Sequence, residues 1–385
     1  MCRVAGRLMS HGLGVLSTLM LAGCFAGPGE TPTALLVGDG LWGEYVVSDA
    51  RHPTALALAA DGRVFYTEKD TGSIRVVAAG ELLAEPFATV PVNSAGQRGL
   101  LGIALHPDFD DNGRVYAFYT RSDTGQATTD VRAVVDNRVV YFEADGNVAA
   151  GGEIFVASLP AGAGTTRIGG RIAFAADGTL LVTLGDLGDT TGAASPTAPV
   201  GKILRYNDDG SIPADNPTAD SPVYARGLRD PRGLCVDPAS GVPLMIDRNA
   251  DGHYEEINRV LPGRDFGWPA VVGIADSPEE LEYAATHADY ADPLRQTGTN
   301  NLGLVGGSFN PSTRYGPNVQ LNYFYGERHT RRVRYSAMNT ARDGFTSNAL
   351  FAHYFPSDIT DVAFTPAGTL YVACEDAVLR VVPTP

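Results

Sequence analysis

Two glycine-rich stretches carry the side chains best suited to holding a ligand. They are Gly169-Gly170-Arg171 and Gly227-Leu228-Arg229-Asp230-Pro231-Arg232-Gly233. A guanidinium pairs with a carboxylate through two parallel N–H bonds, so Arg171 and Arg229 suit an anionic, planar ligand. The alternative is that they bind strand-end carbonyls or neighbouring aspartates, and for Arg171 that structural role is the expectation. A second chemistry sits in Asp247-Arg248-Asn249-Ala250-Asp251-Gly252-His253-Tyr254-Glu255-Glu256, a segment rich in the oxygen atoms a hard cation takes. Its spacing is not that of an EF-hand loop. His106, in the turn after an apolar run, reads as structural. The chain has no cysteine–histidine spacing of a zinc site. No Gly-x-Gly-x-x-Gly follows a strand and opens a helix, which argues against NAD.

Composition narrows the field. The 385 residues carry 44 acidic against 29 basic side chains, a formal charge of −15. With no basic block, nucleic acid is a poor partner. Arginine supplies all of the positive charge except Lys69 and Lys202, so no lysine can act beyond residue 202. A hydrophobic share of 44% is enough for a real core.

One pattern must position these groups. It is a short apolar stretch, a turn of Asp-Gly or Asn-Gly type, then an alternating strand. Thr54 to Thr67 shows it around Asp61-Gly62, and Ile103 to Tyr119 around Asn112-Gly113. It returns at Ile172 to Thr183 around Asp177-Gly178, at Gly233 to Ile246, and at Val362 to Ala373. Such turns between alternating runs are strong hairpin signals. Copies spaced roughly 50–65 residues apart fit propeller blades of four strands, about six in this length. The expected fold is therefore all-β, a single six-bladed β-propeller from residue 41 to 385. Tyr45-Val46-Val47 should pair beside Val378 to Val382 to close the ring and remove a sheet edge. Only Ser277 to His287 looks helical.

The first residues stand apart. Arg3 and Arg7 precede an apolar run, Leu13 to Leu21, too short to span a bilayer. Leu21-Ala22-Gly23-Cys24 resembles a bacterial lipobox. This predicts a signal peptide over residues 1–23, lipidation at Cys24, and a tether over residues 24–40. Phe25 and Ala26 lack the aspartate that retains lipoproteins at the inner membrane. The expectation is an exported protein, lipid-anchored to the outer membrane or cell surface. Cys235 and Cys374 lie in different repeats and are expected as free thiols.

Five motifs, some of them already named, run along the repeat. They are Gly96-Gln97-Arg98-Gly99-Leu100-Leu101-Gly102 with His106-Pro107-Asp108-Phe109; Gly169-Gly170-Arg171 with Leu184-Gly185-Asp186; Gly201-Lys202-Ile203-Leu204-Arg205 with Gly210-Ser211-Ile212-Pro213; Gly227 to Gly233; and Glu255-Glu256-Ile257-Asn258 with Gly267-Trp268-Pro269. In this order, over nearly all of the mature chain, they resemble the quinoprotein glucose/sorbosone dehydrogenases. That resemblance implies a six-bladed propeller binding pyrroloquinoline quinone (PQQ), which carries three carboxylates, and calcium. It implies oxidation of a small-molecule sugar or alcohol. It places Gln97, Arg167, Arg229, Asp230 and Arg232 at the cofactor, with Gln97 against the quinone. It places Ala250, Asp251 and Glu256 at the metal.

The departures from the family pattern matter equally. A histidine that takes the hydroxyl proton stands in the family two residues before the second-motif glycine pair. Arg167 stands there in this chain. Arginine stays protonated at neutral pH and is a very poor base. The family's Arg-Asn-Pro is Arg229-Asp230-Pro231, Leu187 replaces a glutamine, and the usual residues before the glutamate motif are missing around Arg248-Asn249-Ala250. Arg328, Arg331, Arg332 or Arg334 is a candidate to replace a late lysine. His253, Asp186, Asp189 and Asp230 are candidate bases. Two readings result. One is a PQQ- and calcium-dependent dehydrogenase; the other is a surface-tethered propeller that has lost catalysis and binds a ligand.

Overall fold

Turn chemistry sets the hairpins. Gly62 and Gly178 adopt φ values of 91° and 83°, in the region a β-carbon resists. The aspartates before them accept the N–H groups of Arg63 and Thr179. In the computed structural model, which describes residues 34–249 and 253–384, such hairpins build six antiparallel sheets. Their innermost strands are Pro53–Leu58, Leu100–Leu105, Gly169–Phe174, Pro231–Val236, Leu304–Phe309 and Ile359–Phe364. Each packs against the next around one axis, the sixth against the first. The expected six-bladed propeller is thus the fold, and the sheets are numbered here as blades 1 to 6 in that order.

The ring closes as the sequence indicated. Leu41–Val47 pairs antiparallel with Val378–Pro383, with Tyr45 opposite Leu379. One boundary moves. Residues 34–40 were expected in a tether, but Ala34–Gly38 pairs with the closing strand, with Leu36 opposite Trp42. The Asp39-Gly40 turn makes this hairpin, and burying Val37 completely favours it. The expected helix is Pro278–Thr286, capped by Ser277 and Glu280 in a capping box. Cys235 and Cys374 are free thiols.

Cores lie between blades. Phe65 of blade 1 meets Phe87 and Phe109 edge-to-face at 5.5 and 5.7 Å. At the axis the packing is tighter still. A β-carbon on Gly102 would stand 2.2 Å from the Gly170 carbonyl oxygen, and one on Gly233 2.0 Å from that of Gly306. These glycines let the innermost strands of neighbouring blades touch.

Every innermost strand breaks register against its partner. The breaks fall between Pro53 and Leu56, Leu100 and Gly102, Gly169 and Ile172, Pro231 and Gly233, Val305 and Ser308, and Ile359 and Asp361. A bulge re-aims the side chain it contains. Thr54, Leu101, Arg171, Arg232 and Thr360 fall within these breaks, and all five line the axial cavity. Five blades therefore deliver one bulged residue each to the same place.

Candidate functional site

The cavity sits where the innermost strands begin. Its volume is about 340 Å³, within the range of small-molecule sites. Five cationic side chains line it: Lys69, Arg171, Arg232, Arg248 and Arg328. Asp230 is the one carboxylate in the lining among the described residues. His52, Gln97, His329 and Thr360 add polar groups.

Arg171 closes the floor. It reaches from blade 3 across the axis to blade 6, donating from Nη2 to the Thr360 carbonyl at 2.8 Å. Its Nη1 lies 3.1 Å from buried Asp361. The structural role expected for Arg171 is borne out, and the same pair divides the mouth cavity from a smaller one of about 70 Å³ below.

Of the other cations, Arg248 is the least matched. Lys69 Nζ donates to Asp70 at 2.7 Å and to the Ser94 carbonyl at 3.1 Å. Arg328 pairs with Glu375 and with Asp358. Arg248 Nε is buried and faces Glu255 at 3.9 Å, beyond hydrogen-bond reach. Burial, with Arg232 beside it, pulls the Arg248 pKa down. His329 is likewise held below its usual value by burial, and nearby arginines add to this. Cations gathered in this way favour a polyanionic ligand.

Gln97 lines the cavity with its amide oriented. Its Oε1 accepts the Arg167 backbone N–H at 2.6 Å, so the amide nitrogen is the group it can present to a ligand. Fully buried Arg98 secures the Gln97 loop by donating to the carbonyls of Val131, Gly162 and Gly164. Asp230 is 2% exposed; its Oδ2 accepts from Arg232 Nε at 2.8 Å, and its Oδ1 has no partner.

The remaining assignments fall elsewhere. Arg167 was expected at the cofactor. Its side chain is not in the cavity lining. It is drawn to Asp186, whose buried charge needs donors, at 3.1 Å. Arg229, expected at the cofactor, is also absent from the lining. It donates to the Asn249 carbonyl at 2.8 Å, and its guanidinium lies 5.3 Å from the Trp268 ring. Strand-end carbonyls, the alternative use, hold it.

Glu256, expected near calcium, is buried away from this cavity. Its carboxylate accepts from the Gly273 N–H and from the amides of Asn249 and Asn258. Burial and the nearby Asp247 push its pKa up to about 8. Asp247, pushed up to about 7 by burial, accepts the backbone N–H groups of Arg229 and Asp230. Among the described residues no group of three His, Cys, Asp or Glu side chains is placed to hold a metal. Ala250, Asp251 and Cys24 lie outside the described residues.

Of the four candidate bases, Asp230 alone lines the cavity. Asp189 caps the short helix Thr190–Ala194, and His253 contacts the Thr299 carbonyl. His106 accepts the Asp108 N–H and packs on Phe174, a structural role as expected. Of the four late arginines, Arg328 is the one in the lining. Lys69, Arg248, His52, His329 and Thr360 were not foreseen. Arg248 follows the end of an apolar strand and Thr360 stands second in another, but nothing in sequence tells which strand ends converge.

Fold and site together define a six-bladed propeller with a cationic axial well. Comparison with known proteins adds the family: residues 50–381 match the Glucose / Sorbosone dehydrogenase model. The chain belongs to the glucose/sorbosone dehydrogenase family. It is 28% identical over 345 residues to an aldose sugar dehydrogenase of Escherichia coli, covering 85% of this chain and 88% of that protein. The apo crystal structure of the Escherichia coli soluble aldose sugar dehydrogenase superposes with a TM-score of 0.75 at 26% identity, over 89% of this chain and 99% of that one. Quinoprotein glucose dehydrogenase B of Acinetobacter calcoaceticus is 28% identical over 288 residues, 68% of this chain and 59% of that protein. The PQQ-bound aldose sugar dehydrogenase of Streptomyces coelicolor has the same fold, with a TM-score of 0.73 at 24% identity over 88% of this chain and 96% of that one.

Proposed function

We propose that this protein is a PQQ-dependent dehydrogenase that oxidises a hydroxyl group of a sugar or other small alcohol. The observation that carries the reading is the lining of the well: five cations against one carboxylate, with a fixed Gln97 amide beside them. A planar tricarboxylate fits such a lining, because each carboxylate can take charge-assisted N–H bonds. Arg248, Arg328 and Lys69 would hold those carboxylates. When bound, the cofactor supplies the electrophilic carbonyl that accepts hydride. The chain's own residues orient it, keep Gln97 at its edge, and confine the substrate to the open mouth.

Calcium belongs to the same reading, on the segment from Asn249 to Glu256. Asn249 and Asn258 have buried side-chain oxygens without partners, beside the Glu256 carboxylate. Turning both amides would offer their oxygens with that carboxylate to a hard cation. The protein is also proposed to be exported and anchored through a lipid on Cys24, which mass spectrometry of the mature amino terminus tests.

A second reading, a binding module without turnover, is favoured by one observation: Arg167 in place of the family's histidine. Titration of purified protein with PQQ, with and without calcium, decides first whether cofactor binds. Dye-linked oxidation of an aldose panel then separates the two readings. Absence of PQQ binding defeats the dehydrogenase.

A further inference from the structure

We infer that Asp230 is the proton acceptor of the well, in the place that Arg167 cannot fill. The inference rests on the dehydrogenase reading and deepens it. Asp230 is a carboxylate, 98% removed from solvent, in the lining of a ligand-sized cavity, and its buried Oδ1 has nothing bonded to it. Leaving a buried charged acceptor unpaired is costly, so such an atom calls for a ligand donor. A substrate hydroxyl is such a donor.

The geometry holds Asp230 for this task. Its backbone N–H is fixed by Asp247 Oδ1 at 2.7 Å, and its carbonyl accepts from Arg248 N at 3.2 Å. Arg232, the bulged residue of the strand that Asp230 precedes, occupies Oδ2 at 2.8 Å and leaves Oδ1 without a partner. The charged groups around it are Arg232 on its own strand, Asp247 and Arg248 on the next, and Arg229 in the preceding loop. The competitors are otherwise engaged. Asp186 spends Oδ1 on Gly188 N–H and Oδ2 on Arg167 and Trp268 Nε1. His52 and His329 sit on the wetter rim, with side chains 33% and 39% exposed, beside Asp70 and Asp358. A buried acceptor meets less competition from water than a rim group does.

In the step, the substrate O–H bond breaks and its proton forms a bond to Asp230 Oδ1. The carbinol C–H bond breaks with both electrons, and that hydride passes to the ortho-quinone as the substrate C=O forms. The substrate is oxidised by two electrons and the quinone is reduced by two. The proton on Asp230 is then lost to solvent through the mouth.

Asp230→Asn tests this, because the amide keeps the shape and the Arg232 contact but cannot take the proton. The wild-type protein is expected to bind PQQ with calcium and to turn over an aldose or polyol. The variant is expected to lose about 10²–10⁴-fold in kcat. Its PQQ affinity, read by absorbance titration, should be unchanged or higher, since a negative charge has left a polyanion site. Asp230→Glu should recover part of the rate. A kcat within threefold of wild type, with PQQ bound, overturns the role of Asp230 and leaves the dehydrogenase standing. Parallel loss of PQQ affinity, melting temperature and rate overturns it too, by showing a structural role. Loss of rate in His52→Gln, with Asp230→Asn active, moves the base to the rim. Wild-type protein that binds no PQQ, or binds it and oxidises nothing in the panel, defeats the parent reading and the inference with it.

Discussion

Arg167 Nη1 donates to Asp186 Oδ2 across 3.1 Å, and Asp186 is fully buried. Trp268 Nε1 shares the same oxygen at 3.0 Å. The pair explains why an arginine is tolerated at the family's base position. Its charge is spent on an aspartate and is directed away from the well.

Arg167→His should therefore do two things. Asp186 would be left to accept an imidazole N–H, which holds the ring on the Asp186 side, outside the lining of the well. Sugar oxidation with PQQ and calcium present is expected to stay near the native rate, because Asp230 and not this position takes the proton. Arg167→Ala, by contrast, strips a buried carboxylate of one donor and should destabilise by about 1–3 kcal/mol. Steady-state kinetics and urea unfolding check the two halves. A large rise in oxidation with Arg167→His would show instead that this position reaches the substrate.

Glu256 and Asp247 give a pH dependence whose sign can be worked out. Both folded pKa values are raised, to about 8 and about 7, above ordinary carboxylate values. The folded state then binds more protons than the unfolded chain between those limits. Their contribution to stability is full below about pH 4 and is lost as pH rises through about 7 and 8. Metal-free protein should lose melting temperature across that window, and Glu256→Gln should flatten the slope. If calcium uses Glu256, adding it at pH 8 should restore wild-type stability and leave Glu256→Gln unmoved. Thermal melts at fixed ionic strength, with and without chelator, measure all of this.

The legible part of this protein was its repeat. Asp-Gly turns between alternating strands announce hairpins through local chemistry alone, so six blades and the closing pair at Tyr45 and Leu379 follow from the chain. Asp39-Gly40 carried the same signal and extends the last blade to Ala34. The well was less legible, because its members come from the ends of strands far apart in sequence. Arg171 and Thr360 meet across 189 residues. Glycine neighbours identified Arg171 and Arg229 equally well, yet one lines the well and the other caps carbonyls. The difference is where each blade's bulge falls: Arg171 and Arg232 lie inside register breaks, and Arg229 lies before its strand.

Lys202 offers a stability test away from the site. It is fully buried in blade 3, and Nζ donates to the carbonyls of Gly192, Ala193 and Val200 at 2.7–2.8 Å. Lys202→Met fills the same space but leaves three buried acceptors without a donor. The expected cost is about 2–4 kcal/mol in chemical denaturation, with PQQ affinity retained where the protein stays folded. A neutral outcome would mean that water replaces the ammonium.

Arg248 should carry a large share of cofactor affinity. Arg171 and Arg232 already have close carboxylate partners, at 3.1 and 2.8 Å, and Lys69 and Arg328 are paired at the rim. Arg248 has only Glu255 nearby, 3.9 Å from Nε and beyond hydrogen-bond reach. The cation with the weakest carboxylate partner gives up least when an anion arrives. Removing its charge-assisted bonds should cost about 1.5–3 kcal/mol, roughly 10–150-fold in PQQ affinity for Arg248→Met. Arg328→Met should cost less, because Glu375 and Asp358 already neutralise that guanidinium. Calorimetric titration of the two variants ranks them directly. The reverse order would place the cofactor carboxylates on the Arg328 side of the mouth.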